Sequence, residues 1–497
     1  MSVRRHLAVQ GGHLVWVVPA LATLTVGLAG IGHAQPWRDE LATWTAVTRP
    51  IGDLFRLTGT VDAATGPYYL LLHGWVVLFG DSATALRTPS ALAMAGAAGL
   101  TAVLGRRLLG ARAGLLAGLA FTVLPGTSRY AQEARPYALT TLFAVLTTLL
   151  LVAALDRPGW TRWAGYAAAV AGLGLAHLLA LTLLGAHAVV VLVAWWRGPT
   201  AAGLGAGDHS SRAPARDRRL LRWPLALLPA AAVLAPLLLT ARSQRSNQLD
   251  WVEPARLPDL AALPGAVAQS GVLGGLLVGL AALGAGRAGR RALVPGVCVL
   301  LPVLLVYVAA LAVPLWVPRY LLFTVPFGCL LAGAALAAVP APAALAVVVL
   351  AGGLSLPDQQ ALRRSHGWPR SATVDYRGAA AVIAAGQRPG DVVVYSPRDG
   401  WLFLDLGVAY HLGARRPRDV LVVREQRQRA DLWATECARP AECLAGAGRV
   451  WLVVAGRRDD PLAAVPGAKG DALRAGFTVE QVRPRAGVTV ALLSRPG

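Results

Sequence analysis

Two adjacent carboxylates, Asp39 and Glu40, follow the first apolar stretch of the chain in the run Trp37-Arg38-Asp39-Glu40. Acidic groups at the end of a membrane-length segment are costly unless water, a cation or a reacting group uses them. One carboxylate can take a proton from a hydroxyl, and two can do so while holding a substrate or a cation. A solvated acidic helix end would show the same residues, so the pair acquires meaning only from its company.

That company is dense. Arg129, Tyr130, Gln132, Glu133, Arg135 and Tyr137 fall within nine residues of one short turn between two apolar runs. Arginine forks suit phosphate oxygens, and the amide, carboxylate and phenols suit sugar hydroxyls. Arg319 and Tyr320 open a later apolar run, where a guanidinium can meet a lipid phosphate or anchor the helix by snorkelling. Arg242 and Arg245 offer a second place for the same role, and His73 and His177 fall on the same side of the chain's alternating loops. Asp39, Glu40, Glu133, His73 and His177 could together supply ligands to a divalent cation, although no CxxC pair or Gly-rich phosphate loop is present.

The elements that must position these groups are membrane helices. The 497 residues are 55% hydrophobic and only 15% charged, with a mean hydropathy of +0.53, a balance that excludes an ordinary soluble protein. About eleven apolar runs approach the roughly 20 residues needed to cross a bilayer. They are Leu14 to Ile31, Leu86 to Leu104, Ala113 to Leu124, Tyr137 to Leu155, two short helices within Trp163 to Trp196 turning near His177, Trp223 to Thr240, Val272 to Ala285, Leu293 to Val313, Tyr320 to Val339 and Ala343 to Leu356. The first run is followed by Gly32-His33-Ala34, a weak likeness to a cleavage site, yet its length and the runs after it favour a retained span.

The net charge of +21 is not a nucleic-acid signature. Arginines gather in alternate short loops, at Arg4 and Arg5, Arg106 to Arg112, Arg157 and Arg162, Arg197 to Arg222, and Arg287 to Arg291, as the positive-inside rule requires of cytoplasmic loops. This predicts a multi-pass protein of the cytoplasmic membrane with its N-terminus inside. A long loop from about 34 to 85, the 129–136 turn, the His177 turn, the 242–265 loop and everything after about 357 then lie outside. The 34–85 loop carries amphipathic stretches ending near Arg56 and running from Thr65 to His73, which suit helices lying on the membrane surface.

Residues 1–356 thus read as a transmembrane catalytic module and 357–497 as a small extracytoplasmic α/β domain. Strands are expected at Asp391 to Tyr395, Val420 to Val423, Val450 to Val454 and Val488 to Leu493, with a helix over Arg377 to Ala385. Cys298 and Cys329 read as core thiols. Cys437 and Cys443 are candidates for a disulfide in an oxidising compartment.

Taken together with Ala85-Leu86-Arg87-Thr88-Pro89-Ser90, Gly105-Arg106-Arg107-Leu108-Leu109-Gly110, the whole Ser128 to Leu139 segment and Pro318-Arg319-Tyr320, the acidic pair and its surface helices resemble glycosyltransferase family 39 of the GT-C superfamily. That family includes the protein O-mannosyltransferases and the lipid A aminoarabinose transferase. The resemblance covers about residues 10–200 well and is only architectural as far as about 356. It implies a GT-C-like fold and an inverting, mannosyltransferase-like transfer of a sugar from a polyprenyl-phosphate donor to a glycan, lipid or protein hydroxyl at the outer membrane face. It implies Asp39 as base and no required cofactor, a divalent cation being the alternative. A phosphate leaves readily, so one carboxylate suffices, whereas a glycosidase needs a second carboxyl to protonate an alkoxide. A lipid-linked-sugar transporter or flippase would instead place polar groups near the bilayer midplane and show a two-fold repeat, and a scaffold would need neither acid nor arginine turn.

Overall fold

The structure is a computed structural model that describes residues 2–197, 215–245, 252–365 and 374–496; the middle of the Arg197 to Arg222 basic run lies outside them. Two compact units are present. The first comprises residues 1–31, 62–68 and 84–363, and the second residues 32–61, 69–83 and 364–497.

The first unit is helical. Seven stretches among the described residues are long and apolar enough to cross a membrane: Ala83–Leu109, Tyr137–Asp156, Leu178–Trp196, Leu221–Ser243, Gly271–Ala310, Pro318–Ala337 and Ala341–Arg364. Gly271–Ala310 is two helices, Gly271–Ala288 and Leu293–Ala310, joined by the tight turn Gly289–Ala292. Shorter apolar helices cover His13–Leu28, Ala111–Val123 and Leu257–Ala268, the last in a loop where the sequence suggested no helix. The 34-residue stretch from Trp163 to Trp196 does break at His177, between the helices Trp160–Ala176 and Leu183–Arg197. Outward-facing Leu239, Val278, Val308 and Val349 are all more than half exposed, the burden a lipid-facing surface carries without cost.

Lipid tails are as apolar as leucine, so helices in this unit associate by close approach of small residues rather than by hydrophobic exclusion. A Cβ on Gly284 would lie 1.8 Å from the Leu331 carbonyl oxygen, and one on Gly333 would lie 2.4 Å from the Ala113 oxygen. Helix Val325–Ala337 is thereby clasped between Gly271–Ala288 and Ala111–Val123. We expect Gly284→Val to cost about 3 kcal/mol by forcing the backbones apart. A melting temperature of the purified protein equal to the wild type would contradict that packing.

Threonine hydroxyls inside the spans return to their own helices, as Thr101 to the Ala97 oxygen at 2.7 Å and Thr148 to the Ala144 oxygen at 2.9 Å. The buried His187 shares 3.0 Å hydrogen bonds with the Thr148 and Tyr166 hydroxyls, and the Trp223 indole donates to the same Tyr166 oxygen at 3.0 Å. Every ring nitrogen in that chain has a partner, so it reads as a brace across four helices.

The second unit joins the segment after the first helix to the C-terminal residues. Helices Arg38–Val47 and Ile51–Thr60 meet at Pro50. In Ile51–Thr60, Leu54 and Leu57 are fully buried while Ile51 and Phe55 stay about half exposed on the opposite face, the two-sided pattern of a surface helix. The C-terminal part is an α/β domain. Strands β1 (Val392–Ser396), β2 (Arg418–Asp419), β5 (Arg449–Ala455), β6 (Thr478–Arg485) and β7 (Val488–Ser494) form a sheet in the order β2-β1-β5-β7-β6. β1 is parallel to both its neighbours, whereas β7 runs antiparallel to β5 and β6. Val392, Val394, Val450, Leu452, Val454 and Leu493 build its core.

Helix Tyr376–Gly386 is started by Asp375, whose carboxylate accepts the Gly378 N–H at 2.8 Å. One expected strand is displaced: β3 covers only Val422–Arg424 and pairs with β4 (Thr435–Glu436) in a separate ribbon, because Leu421 turns into the core. β6 was not foreseen, since an edge strand with an almost wholly exposed, charged face lacks the apolar run that marks the others. Cys437 and Cys443 are joined in a disulfide.

The two parts of this unit are tied by polar contacts. Arg49 is 2% exposed and donates to the Asp431 carbonyl at 2.7 Å and the Thr45 carbonyl at 3.0 Å. Burial pulls its guanidinium down to about 10 against the nearby Asp53 and Asp431, which leaves it charged at neutral pH. Arg427 bonds Asp53 at 2.8 Å, Gln35 holds the Val374 carbonyl and the Arg377 N–H, and the Trp44 ring meets Tyr410 edge-on at 5.3 Å.

Candidate active site

In the second unit the acidic pair opens helix Arg38–Val47. Both carboxylates sit in its first turn, where the unsatisfied N–H groups favour negative charge. Their fates differ. Glu40 is 2% exposed and its Oε2 accepts the Trp37 N–H at 3.4 Å, so this carboxylate caps its own helix. The Asp39 side chain keeps 18% of its surface and lies 3.6 Å from Arg38. Tyr376 stands close by. Burial raises its phenol, Arg38 opposes that rise, and Asp39 and Asp405 add to it, which places all three charges within electrostatic reach of one ring. His73, by contrast, shares a 2.8 Å hydrogen bond between Nδ1 and the Val47 carbonyl, a bond that fixes the ring against the end of helix Arg38–Val47.

In the first unit the 129–137 turn is built from the short helix Pro125–Ala131 and the start of Tyr137–Asp156. Arg129 Nε and Glu133 Oε2 are paired at 3.1 Å with both side chains buried. Gln132 donates to the Gly27 and Ala29 carbonyls at 2.9 and 2.7 Å, so this amide binds the turn to the first helix rather than facing a ligand. Tyr137 is the hub of the rest. Its hydroxyl accepts from Arg319 Nε at 3.0 Å, and its ring lies 5.6 Å from Tyr130, 6.1 Å from His177 and 6.1 Å from Tyr320. His177 and Tyr320 are 4.7 Å apart, the Arg319 guanidinium lies 5.5 Å over Tyr320, and Arg135 is within electrostatic reach of His177.

Residues from three places in the sequence therefore form one cationic and aromatic cluster at helix ends. Arg129, Arg135 and Arg319 bring three guanidinium groups to it, a kind of donor suited to a phosphate. Arg242 and Arg245 do not join it: both are exposed, while Gln244 between them is buried and accepts the Ala63 N–H at 2.9 Å.

Several residues that shape these regions escaped the sequence reading. Arg87, 1% exposed, donates to the Ile31 carbonyl at 2.7 Å and fixes the end of the first helix. Gln359 accepts from Ser128 and from Arg363, each at 3.1 Å, and Arg363 also reaches the Ala29 carbonyl at 3.0 Å. Arg87 lies in Ala85-Leu86-Arg87-Thr88-Pro89-Ser90, but nothing local marks an arginine whose partner is a carbonyl distant in sequence. Among the described residues no group of three or more His, Cys, Asp and Glu side chains is gathered as a bound cation would need.

The chain is similar to known proteins in sequence over one segment and in fold over most of its length. Residues 67–201 match the family model described as Dolichyl-phosphate-mannose-protein mannosyltransferase. No curated protein sequence matches the chain. Among solved structures, ArnT from Cupriavidus metallidurans in the apo state superposes with a TM-score of 0.63 at 16% identity, covering 96% of this chain and 97% of that one. The same protein bound to undecaprenyl phosphate gives 0.59 at 14% identity, covering 96% and 98%. The chain shares the fold of that protein over nearly its whole length, a helical membrane part followed by a small C-terminal sheet domain.

Proposed function

We propose that this GT-C-fold chain is an inverting glycosyltransferase that moves a sugar from a polyprenyl-phosphate donor to an acceptor hydroxyl at the outer face of the cytoplasmic membrane. The observation that carries the reading is the difference within the acidic pair: Glu40 is buried and caps its helix, and the Asp39 side chain keeps 18% of its surface. Asp39 takes the acceptor's proton as its oxygen bonds to the anomeric carbon. The bond from that carbon to the phosphate breaks, and the polyprenyl phosphate leaves with the electron pair. No acid is needed on the leaving side, because a phosphate is already a stable anion. Glu40 is a positioning residue in this scheme.

The first unit takes the donor. Arg129, Arg135 and Arg319 are the phosphate's partners, and Tyr130, Tyr137, His177 and Tyr320 frame them and offer ring faces and hydroxyls to the sugar. Arg242 and Arg245, exposed at a helix end, suit lipid headgroups. The alternation of arginine-rich loops supports an N-terminus inside and the α/β domain outside.

Arg319→Lys tests the donor half. Lysine keeps the charge but loses the planar fork and the Nε donor that Tyr137 accepts, so the donor KM is expected to rise about 10-fold. An unchanged donor KM would remove Arg319 from the phosphate site. The reading as a whole is tested by incubating membranes carrying wild type or Asp39→Asn with a panel of polyprenyl-phosphate sugars and following sugar transfer; transfer of no sugar by the wild type defeats it, and transfer undiminished in the variant defeats the assignment of Asp39 as base.

A further inference from the structure

The α/β domain has a place where ligands are expected on topology alone. In open sheets, ligands bind outside the carboxyl ends of parallel strands where the strand order reverses. Here the chain leaves β1 for β2 on one side and later returns as β5 on the other, so the carboxyl end of β1 is that reversal point. The loop of residues 397–404 follows directly.

The loop is pinned from several directions. Arg398 is buried and bonds Asp405 at 3.1 Å, Asp419 at 2.5 Å and Glu436 at 3.0 Å, while Lys469 secures Glu436 at 2.7 Å and the Tyr395 carbonyl at 2.9 Å. The Tyr376 hydroxyl donates to the Leu402 carbonyl, and the Trp433 indole donates to the Gly400 carbonyl at 3.3 Å. Phe403 is held at φ +49°, a left-handed conformation that costs a bulky residue about 1–2 kcal/mol and persists only where surroundings impose it.

This scaffold presents an aromatic corner. The Trp401 and Trp433 rings meet at 82° with centroids 4.8 Å apart, and the buried Phe403 stacks on Trp433 at 5.6 Å. Both indoles remain half-buried, which leaves them surface to offer. Behind the loop, the buried Asp405 is bonded to Arg398 and, at 2.8 Å, to Gln426, which is only half-buried. Asp399, next to Arg398 in the loop, is exposed.

We infer that this corner is a subsite for a carbohydrate ring, with Trp401 and Trp433 as its walls. A sugar ring has one face of weakly positive C–H groups, which packs on the electron-rich face of an indole, and a rim of hydroxyls that carboxylates and amides satisfy. A polyprenyl chain would need a continuous apolar surface, which charged neighbours interrupt here. The corner also lies at the Asp39 end of the unit: helix Leu404–Leu412, which begins where the loop ends, carries the Tyr410 that meets Trp44, and Tyr376 senses both Asp39 and Asp405. That the ring belongs to an acceptor glycan rests on the glycosyl-transfer reading; that a ring binds does not.

The test uses the full chain in lipid nanodiscs and ligand-observed saturation-transfer NMR with soluble mannan, arabinan, glucan and galactan fragments of a few rings. At least one fragment binds the wild type, Trp401→Ala raises its Kd about 10-fold, and Trp401→Phe, which keeps a ring face, stays within about threefold. Equal melting temperatures show that the variants fold. Binding by no fragment, binding undiminished in Trp401→Ala, or displacement by a serine-containing peptide and by no saccharide overturns the subsite. Asp39→Asn separates the two claims: it binds fragments like the wild type whichever way its transfer rate falls, and undiminished transfer would defeat the base assignment alone.

Discussion

Asp39→Asn is expected to lower sugar transfer about 10²–10⁴-fold while leaving the amount of protein and its melting temperature unchanged. Asparagine matches aspartate in shape and still suits the first turn of a helix, so the fold loses little. What it cannot do is accept a proton as the acceptor oxygen attacks. The comparison with Glu40 sharpens the prediction, because Glu40 is buried and accepts the Trp37 N–H, whereas the Asp39 side chain is partly exposed. Steady-state transfer with a polyprenyl-phosphate sugar, at saturating donor and acceptor, is the measurement. A residual rate within about threefold of wild type would assign the base elsewhere.

Much of this was legible before any coordinates, and the parts that were not share a physical cause. Apolar runs and loop arginines report on the bilayer, a solvent that leaves its mark on every residue it touches; hence the spans and the break at His177 could be read directly. Strands buried on both faces, such as β1, β5 and β7, show as apolar runs, but the polar edge strand β6 does not. The 129–137 turn was visible as a density of functional groups. The roles inside it were not, because Gln132 and Arg129 have nearly the same sequence context, yet one is tied to the Gly27 and Ala29 carbonyls and the other to Glu133. Arg242 and Arg245 illustrate the converse. Their charge attracted notice, while the buried residue that matters to the local structure is Gln244 between them.

The membership of the second unit was also hidden from local pattern. Residues 32–61 and 69–83 precede the α/β domain by some 300 positions, yet Arg49, Asp53, Gln35 and Trp44 find partners there. The helix Arg38–Val47, like Ile51–Thr60 after it, is too short alone to be stable in water or to hold a catalytic group with any accuracy. Bonding it to a folded sheet domain provides rigidity that its own ten residues lack. The domain is thus more than an appended module, since the helix carrying Asp39 shares its frame.

Arg398→Met is expected to reduce the protection of β1 and the following loop against hydrogen exchange by about 3–5 kcal/mol, the cost of leaving buried carboxylates without their cation. Arg398 bonds the buried Asp405 and the partly buried Asp419 and Glu436, and Lys469 reaches only Glu436. Burial opposes the charge on Arg398, but Asp419, Asp405 and Glu436 outweigh it and hold the guanidinium above its usual range. Burial likewise raises the Asp419 carboxyl even with Arg398 beside it. A group whose folded pKa is raised contributes stability that is complete below its unfolded pKa, about 4, and is lost as pH climbs through the folded value. Taking the guanidinium away raises that folded value further, so the defect in Arg398→Met should be larger at pH 7.5 than at pH 5. Methionine fills most of the arginine's volume, which limits the packing loss that would otherwise be confused with the charge effect. Exchange of peptides spanning 392–424 in the full-length protein, compared at the two pH values after correction for intrinsic rates, gives the answer. A defect of the same size at both would mean that the three carboxylates are hydrated, and that the rigidity of the Trp401 loop has another source.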